Sequence, residues 1–257
     1  MNKDKNVLST KIDIYIDVGR FYLQITFMKN IIVTGASKGI GYATAISLSN
    51  NGHRVIAVAR STKLLEQLRT KVGSDLIVPV TADLATSAGR EVLISTIKSL
   101  NGIDGLINNA AVLINKPFKE LSADDWKHQF EVNFFGVIEL IKSLLPFINS
   151  EAHIVNIGSM AGFQGAQKFS TLSAYGAGKA ALANLTEYLA IELSDDKIRV
   201  NCLALGAVST DMLQTAFPSF ISEVTAELMG EYIANFTTHN GKLFNGKVIP
   251  VALNNPT

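Results

Sequence analysis

Asn30-Ile31-Ile32-Val33-Thr34-Gly35-Ala36-Ser37-Lys38-Gly39-Ile40-Gly41-Tyr42-Ala43-Thr44-Ala45-Ile46-Ser47-Leu48 is the stretch whose reading decides the fold. Asn30 to Val33 is a short apolar run of the kind a buried parallel strand uses. Tyr42 to Leu48 has helical apolar spacing, and Asn51-Gly52 ends it. Between them lies a glycine-rich turn. Strand, glycine turn and helix together form a phosphate cradle: glycines let the backbone approach a pyrophosphate, and the helix start offers unpaired N–H groups and a positive dipole end. The spacing is G-x-x-x-G-x-G rather than the usual dinucleotide fingerprint, so a glycine turn with no ligand stays open on this stretch alone.

Downstream the chain alternates in the βαβ manner. Strands are expected at 53–59, 75–81, 103–108, 153–158, 197–204 and 246–252, with helices at 62–72, 87–100, 123–145 and 174–193. Seven strands with helices on both faces make a doubly wound parallel α/β sheet. Within the last of these helices, Tyr175 and Lys179 stand four apart and so share a face. A cation near a phenol favours the phenolate and lowers its pKa from about 10. That would make the tyrosine a usable proton donor or acceptor near neutral pH. By itself the pair is no more specific than a surface pair.

Taken together, the motifs resemble those of the single-domain short-chain dehydrogenase/reductase family, from about Lys29 to Val251. Thr34 to Gly41 is similar to the family's cofactor loop, Asp83-Leu84 to its adenine contact, and Asn108-Asn109-Ala110-Ala111 to its N-N-A-G segment with alanine last. Asn133, Ser159, Tyr175 and Lys179 fall where the family's catalytic tetrad belongs. The resemblance implies a Rossmann-like single domain over residues 28–257, with strand order 3-2-1-4-5-6-7 and the cofactor at the C-terminal strand ends. It implies hydride transfer between a nicotinamide and a carbonyl or secondary alcohol carbon. Tyr175 would supply the proton, Lys179 would lower its pKa and hold the ribose, Ser159 would hold the carbonyl oxygen, and Asn133 would hold a relay water beside the lysine. Cofactor contacts are expected from Gly35, Ser37, Lys38, Gly39, Ile40, Gly41, Arg60, Asp83, Leu84, Asn109, Ala110, Ala111, Tyr175 and Lys179. Gly206, Val208 and Thr210 are expected near the carboxamide, although Leu205 stands where the family has proline, which should loosen that turn.

Charge argues for NADP(H). An NAD-binding chain carries a carboxylate about 20 residues past the glycine loop to bond the ribose hydroxyls. Here the place holds Ala59 followed by Arg60. An arginine fork binds a 2′-phosphate, which a carboxylate would repel, and Lys38 adds a second cation. The substrate side holds Met160, Phe163, Phe169, Met212, Leu213, Phe217 and Phe220, which suggest an apolar pocket for a small ketone or aldehyde. Carrier-protein reductases of the family use arginines where this chain has Glu139 and Ile191, which ranks a free carbonyl substrate above a carrier-bound 3-oxoacyl group. Alcohol oxidation, and a catalytically silent dinucleotide sensor, are the alternatives.

The remaining features narrow the class. A length of 257 residues with 47% apolar content can bury a large core, and a net charge of +1 gives no electrostatic case for nucleic acid. No run of about 18 apolar residues suggests a membrane span. The single cysteine, Cys202, lies in an apolar run and reads as a small buried hydrophobe. His53, His128, His153 and His239 show no metal-ligand spacing. A cytoplasmic enzyme fits these features. Apolar residues on more than one face of helices 123–145 and 174–193, including Phe134, Phe135, Ile138, Ile141, Leu144 and Leu145, imply a homodimer or homotetramer, since family members pair these helices across a two-fold axis. Residues 1–27 lie outside this plan. Their alternation over 11–18 and 21–27 reads as a β-hairpin, either an extra element outside the fold or sequence upstream of a natural initiator at Met28, the second being preferred. Residues 1–10 are expected to be loosely placed, and a chain starting at Met28 to keep fold, cofactor binding and activity.

Overall fold

The computed structural model describes residues 10–17 and 20–253. Its first two strands, β1 (Thr10–Asp17) and β2 (Arg20–Phe27), pair antiparallel with Thr10 opposite Phe27 and Asp17 opposite Arg20. They form a two-stranded sheet of their own. The expectation for residues 1–10 lies outside the described residues except at Thr10, which opens β1.

The main domain follows: β3 (Asn30–Thr34), α1 (Gly39–Asn50), β4 (Arg54–Ala59), α2 (Thr62–Val72), β5 (Ile77–Thr81), α3 (Ser87–Ile97) and β6 (Ile103–Asn108). The second half comprises α4 (Ala123–Phe130), α5 (Gly136–Leu144), β7 (Ile148–Ser159), α6 (Ser173–Glu192), β8 (Arg199–Leu205), α7 (Asp211–Ala216), α8 (Ala226–Thr238) and β9 (Val248–Val251). Seven parallel strands stand in the order β5-β4-β3-β6-β7-β8-β9, which is the expected 3-2-1-4-5-6-7 order. Because helices cover both faces, the central strands read as continuous buried runs: Ile31, Ile32 and Val33, Val55 to Val58, and Ile154 and Val155 have almost no exposed surface. One core lies under α1, α2 and α8, and the other under α3, α5 and α6.

Three features differ from the sequence expectation. The helix expected over 123–145 is broken by a π-helical turn, Glu131–Phe135, between α4 and α5. Its N-terminus is well specified, since Ser122 and Asp125 form a capping box. Strand β7 starts at Ile148 rather than His153 and carries Glu151 at φ 68. Helices α7 and α8 have no counterpart among the expected elements; α8 packs on α1 so closely that a Cβ on Gly230 would meet the Ala43 carbonyl carbon at 2.6 Å. The apolar residues expected on more than one face of helix 123–145 divide between core and surface. Ile141 and Leu144 are buried in the core, whereas Phe135 is half exposed.

Candidate active site

The C-terminal ends of the strands open into a cleft of ≈ 940 Å³, where a doubly wound sheet binds its ligand. The β3–α1 turn forms one wall. Gly35 and Gly39 have φ of 68 and 59, which an L side chain rarely adopts. A Cβ on Gly35 would also meet Ala110 Cα at 2.9 Å. Asn109 staples the turn: its Nδ2 donates to Thr34 O at 2.9 Å and its backbone N–H to Thr34 Oγ1 at 2.9 Å. The Ala110 N–H also donates to Thr34 Oγ1, at 2.9 Å. Helix α1 begins after Lys38 with no side-chain cap and no acidic residue in its first turn, so its N–H groups and dipole face the cleft uncompensated. This cradle fits a pyrophosphate, and adding side chains at Gly35 would close it.

Gly35, Ser37, Lys38, Gly39 and Ile40 all line the cleft. Gly41 does not. A Cβ there would meet Asn109 Nδ2 at 2.4 Å and Gly35 O at 2.5 Å, so this glycine lets helix and stapled turn meet rather than touching a ligand. Arg60 lines the cleft beside Ala59 at the end of β4. Lys38 reaches across the mouth to Asp211 of α7 at 3.5 Å, both side chains largely exposed. Asp83 and Leu84 lie on the wall after β5; an Asp83 carboxylate oxygen accepts from the Ala85 N–H at 3.1 Å and fixes that turn. Asn109, Ala110 and Ala111 continue the wall after β6, and Gly206, Val208 and Thr210 after β8. The β8 end is pinned without a proline: Met160 N–H donates to Leu205 O and Gly206 N–H to Val251 O, both at 2.9 Å.

At the cleft centre stand Ser159, Tyr175 and Lys179. Ser159 ends β7, and its Oγ accepts from the Ala161 N–H at 3.1 Å. Tyr175 and Lys179 lie on one face of α6, the ammonium 5.8 Å from the phenol ring centre. Lys179 Nζ donates to Ile157 O at 2.7 Å. The expected depression of the tyrosine by this lysine is corrected in the protein alone: burial pushes the Tyr175 phenol up to about 12, with the nearby Ser159 hydroxyl acting in the opposite direction. Burial also brings the Lys179 ammonium down to about 8, against the pull of Cys202. Desolvation outweighs the opposing influence of Ser159 on the phenol and of Cys202 on the ammonium.

Asn133 is brought near but not onto the cleft wall. It is fully buried in the π turn, and its amide clamps Val112: Oδ1 accepts from Val112 N–H at 2.9 Å and Nδ2 donates to Val112 O at 2.8 Å. The side chain therefore fixes the loop after β6. Two glycines absent from the expected set complete the site. A Cβ on Gly162 would sit 2.6 Å from Ala180 N and 2.7 Å from Lys179 C, and one on Gly176 would sit 2.8 Å from Ala161 O. The loop after Ser159 thus lies directly on α6 between the tyrosine and the lysine. Glycine at 162 and 176, within the spacing to Tyr175, is the sequence signal for that approach.

The outer cleft is apolar. Met160, Phe169, Met212, Leu213, Phe217 and Phe220 line it, and of the expected residues only Phe163 does not. The Phe169 and Phe217 rings lie 6.4 Å apart, tilted by 53°, and Asn115 Nδ2 donates to Ala216 O, tying the loop after β6 to α7.

A family model described as short chain dehydrogenase matches residues 29–219, and with this cleft and this strand order the chain belongs to the short-chain dehydrogenase/reductase family of oxidoreductases, whose members bind a nicotinamide dinucleotide. It is 32% identical over 194 residues to a benzil reductase ((S)-benzoin forming) of Saccharomyces cerevisiae, covering 72% of this chain and 73% of the relative. It is 34% identical over 189 residues to an uncharacterized oxidoreductase of Staphylococcus saprophyticus, covering 72% and 76%. Among solved structures, a short-chain dehydrogenase/reductase (glucose/ribitol dehydrogenase) from Brucella melitensis superposes with TM-score 0.80 at 26% identity, covering 87% of this chain and 95% of that one. A 3-ketoacyl-(acyl-carrier-protein) reductase from the same organism, complexed with NADH, shares the fold with TM-score 0.79 at 22% identity, covering 87% and 96%. Among the described residues no helix is long and apolar enough to cross a membrane.

Proposed function

We propose that the chain is an NADP(H)-dependent carbonyl reductase acting on a small apolar ketone or aldehyde, with Ser159, Tyr175 and Lys179 as its catalytic residues and Asn133 as a positioning residue. The observation that carries the reading is the Tyr175 phenol, buried on the cleft wall with Ser159 and with the Lys179 ammonium 5.8 Å from its ring centre. When bound, the cofactor supplies the hydride that reaches the carbonyl carbon. The oxygen of that carbonyl becomes an alkoxide and needs a proton. With its pKa held near 12, Tyr175 is a neutral donor at physiological pH, which suits the reductive direction. Ser159 orients the oxygen. Lys179, anchored on Ile157 O, keeps hydrogens available for a ribose hydroxyl and favours the phenolate left after transfer.

The phosphate preference rests on Arg60 beside Ala59, with Lys38 near the helix start: no carboxylate occupies the place where one would repel a 2′-phosphate. For the substrate, the Phe169–Phe217 pair over the cleft supports an aryl or otherwise apolar carbonyl compound, in keeping with the yeast relative's name. Glu139, exposed and ion-paired to Lys142 at 3.4 Å, and Ile191, 73% exposed, offer nothing to an acidic carrier. A homo-oligomer through α4–α5 and α6 is part of the proposal, because Phe135, Tyr188 and Ile191 leave apolar surface uncovered there. A cytoplasmic setting also fits, since the lone Cys202 is buried and cannot form an internal disulfide. The test is a panel of aryl ketones, aliphatic ketones, aldehydes and carrier-bound acyl groups, each assayed with NADPH and NADH. Turnover of an apolar free ketone or aldehyde with NADPH is the expected result. Activity confined to carrier-bound substrates would overturn it.

A further inference from the structure

The opposite end of the sheet carries a second recess, of ≈ 590 Å³, whose lining includes Lys29, Lys197, Arg199, Lys242, Glu151 and Ser194. Ser159 lies eight positions beyond Glu151 along β7, roughly 26 Å at about 3.3 Å per residue. This recess is therefore distinct from the cleft. Doubly wound sheets bind ligands at their C-terminal strand ends, so its charge has no part in the reaction described above.

We infer that this recess is a binding site for a small phosphorylated molecule, its phosphoryl group held between Lys29, Lys197, Arg199 and Lys242. Four cations face a single carboxylate across the recess, and none of the four forms a salt bridge among the described residues. Asp104 approaches Lys29 from β6, but one of its oxygens accepts from Asn30 N–H and the other from the Asn149 amide, both at 2.8 Å. Lys29 Nζ makes a 3.3 Å bond to Thr238 O, which leaves hydrogens free. Arg199 donates to Gly241 O at 2.9 Å and Glu151 O at 3.4 Å, so its guanidinium is fixed in place with further N–H groups unspent.

Backbone strain is the second observation. Only three non-glycine residues among those described have positive φ, and two of them, Glu151 at 68 and Lys197 at 59, line this recess. Lys197 follows α6 where its N–H donates to Ser194 O and the Ile198 N–H to Leu193 O, a left-handed position that glycine fills without steric cost. Keeping a lysine there aims a cation into the recess at the expense of backbone comfort, the pattern of strain that gathers at binding sites. The charges are felt locally. Burial first, and then Lys242 and Arg199, hold the Lys29 ammonium below its ordinary value against the pull of Asp104. His239, close by, is lowered by burial and then by Lys29 and Lys242. A multiply charged oxyanion would relieve that repulsion, and lysine point charges beside an arginine suit phosphate.

Inorganic pyrophosphate, titrated calorimetrically into protein saturated with NADP⁺, tests the site without interference from the cleft. One saturable event per chain is expected. Lys197→Gly with Lys242→Ala, which relieves strain rather than adding it, should weaken that event by at least about tenfold, whereas Lys98→Ala with Lys119→Ala should leave it unchanged. Absence of saturable binding, equal affinity in the Lys197/Lys242 variant, or binding that vanishes once NADP⁺ fills the cleft would each overturn the inference. Citrate binding as tightly as pyrophosphate would overturn the phosphoryl assignment.

Discussion

Replacing Gly162 by alanine tests how closely the loop after Ser159 rests on the catalytic helix. The new Cβ would lie 2.6 Å from Ala180 N, 2.7 Å from Lys179 C and 2.9 Å from Lys179 Cβ. Two of these are backbone atoms, so no rotamer change relieves the clash. Restoring ordinary contact needs a displacement of roughly 1 Å, since carbon contacts are favourable at about 3.5–4.0 Å. Overpacking of this kind costs about 1–3 kcal/mol, which lowers Tm by several degrees in a protein of this size, at about 2–4 °C per kcal/mol. A shift of about 1 Å in catalytic groups lowers kcat by about 10²-fold. The assay is paired: thermal unfolding, and NADPH oxidation with the best ketone of the panel. The glycine turn at β3–α1 is untouched, so NADPH affinity should fall much less than kcat. Gly176→Ala, which meets Ala161 O from the helix side at 2.8 Å, should behave alike. Wild-type Tm and kcat in both variants would refute the close approach.

Two further outcomes follow from charge. Ala59→Asp with Arg60→Ile should reverse the cofactor order, shifting the NADPH-to-NADH affinity ratio by about 10²-fold or more, since a charge-assisted contact is lost and a repulsion gained; fluorescence titration of both reduced cofactors reads it, and an unchanged ratio refutes the assignment. Burial, with Arg199 and Lys29 nearby, holds the His153 imidazole down at about 3, against its hydrogen bond to Thr237 O. Because the folded value lies below the unfolded value of about 6.5, the unfolded chain binds more protons in that window, and stability is full above about 6.5 and falls progressively toward about 3, by about 4–5 kcal/mol at most. His153→Gln, whose amide can serve both Asn201 and Thr237 O, should flatten that acid limb in urea titrations at different pH, and an unaltered limb would show that other groups carry it.

Much of this architecture was legible because short parallel strands declare themselves as apolar runs. Thr62–Val72 and Ile103–Asn108 fall at their expected bounds, and the glycine turn lies where its spacing places it. The π turn at 131–135 was not legible: Phe134, Phe135 and Ile138 suit an unbroken helix equally well, and only the tertiary demand of Asn133 for the Val112 backbone marks the break. Helix α8 did carry a signal, with Thr225 capping Leu228 N–H and Met229, Ile233 and Phe236 at helical spacing, and it lies in the crossover between the parallel strands β8 and β9, where the alternation calls for a helix. The Tyr175 environment was misjudged for a different reason. Sequence spacing shows a neighbouring charge, whereas burial, the larger influence here, depends on the loop that Gly162 and Gly176 bring down on it.

The central claim is that Tyr175 delivers the proton to a carbonyl oxygen. Steady-state NADPH oxidation by the Tyr175→Phe variant, measured beside its NADPH affinity by fluorescence, tests this most directly. Loss of only the phenolic oxygen should reduce kcat by about 10²–10⁴-fold, the range for a general acid, while NADPH affinity stays close to that of the wild type. A variant that reduces the ketone at the wild-type rate would contradict the account.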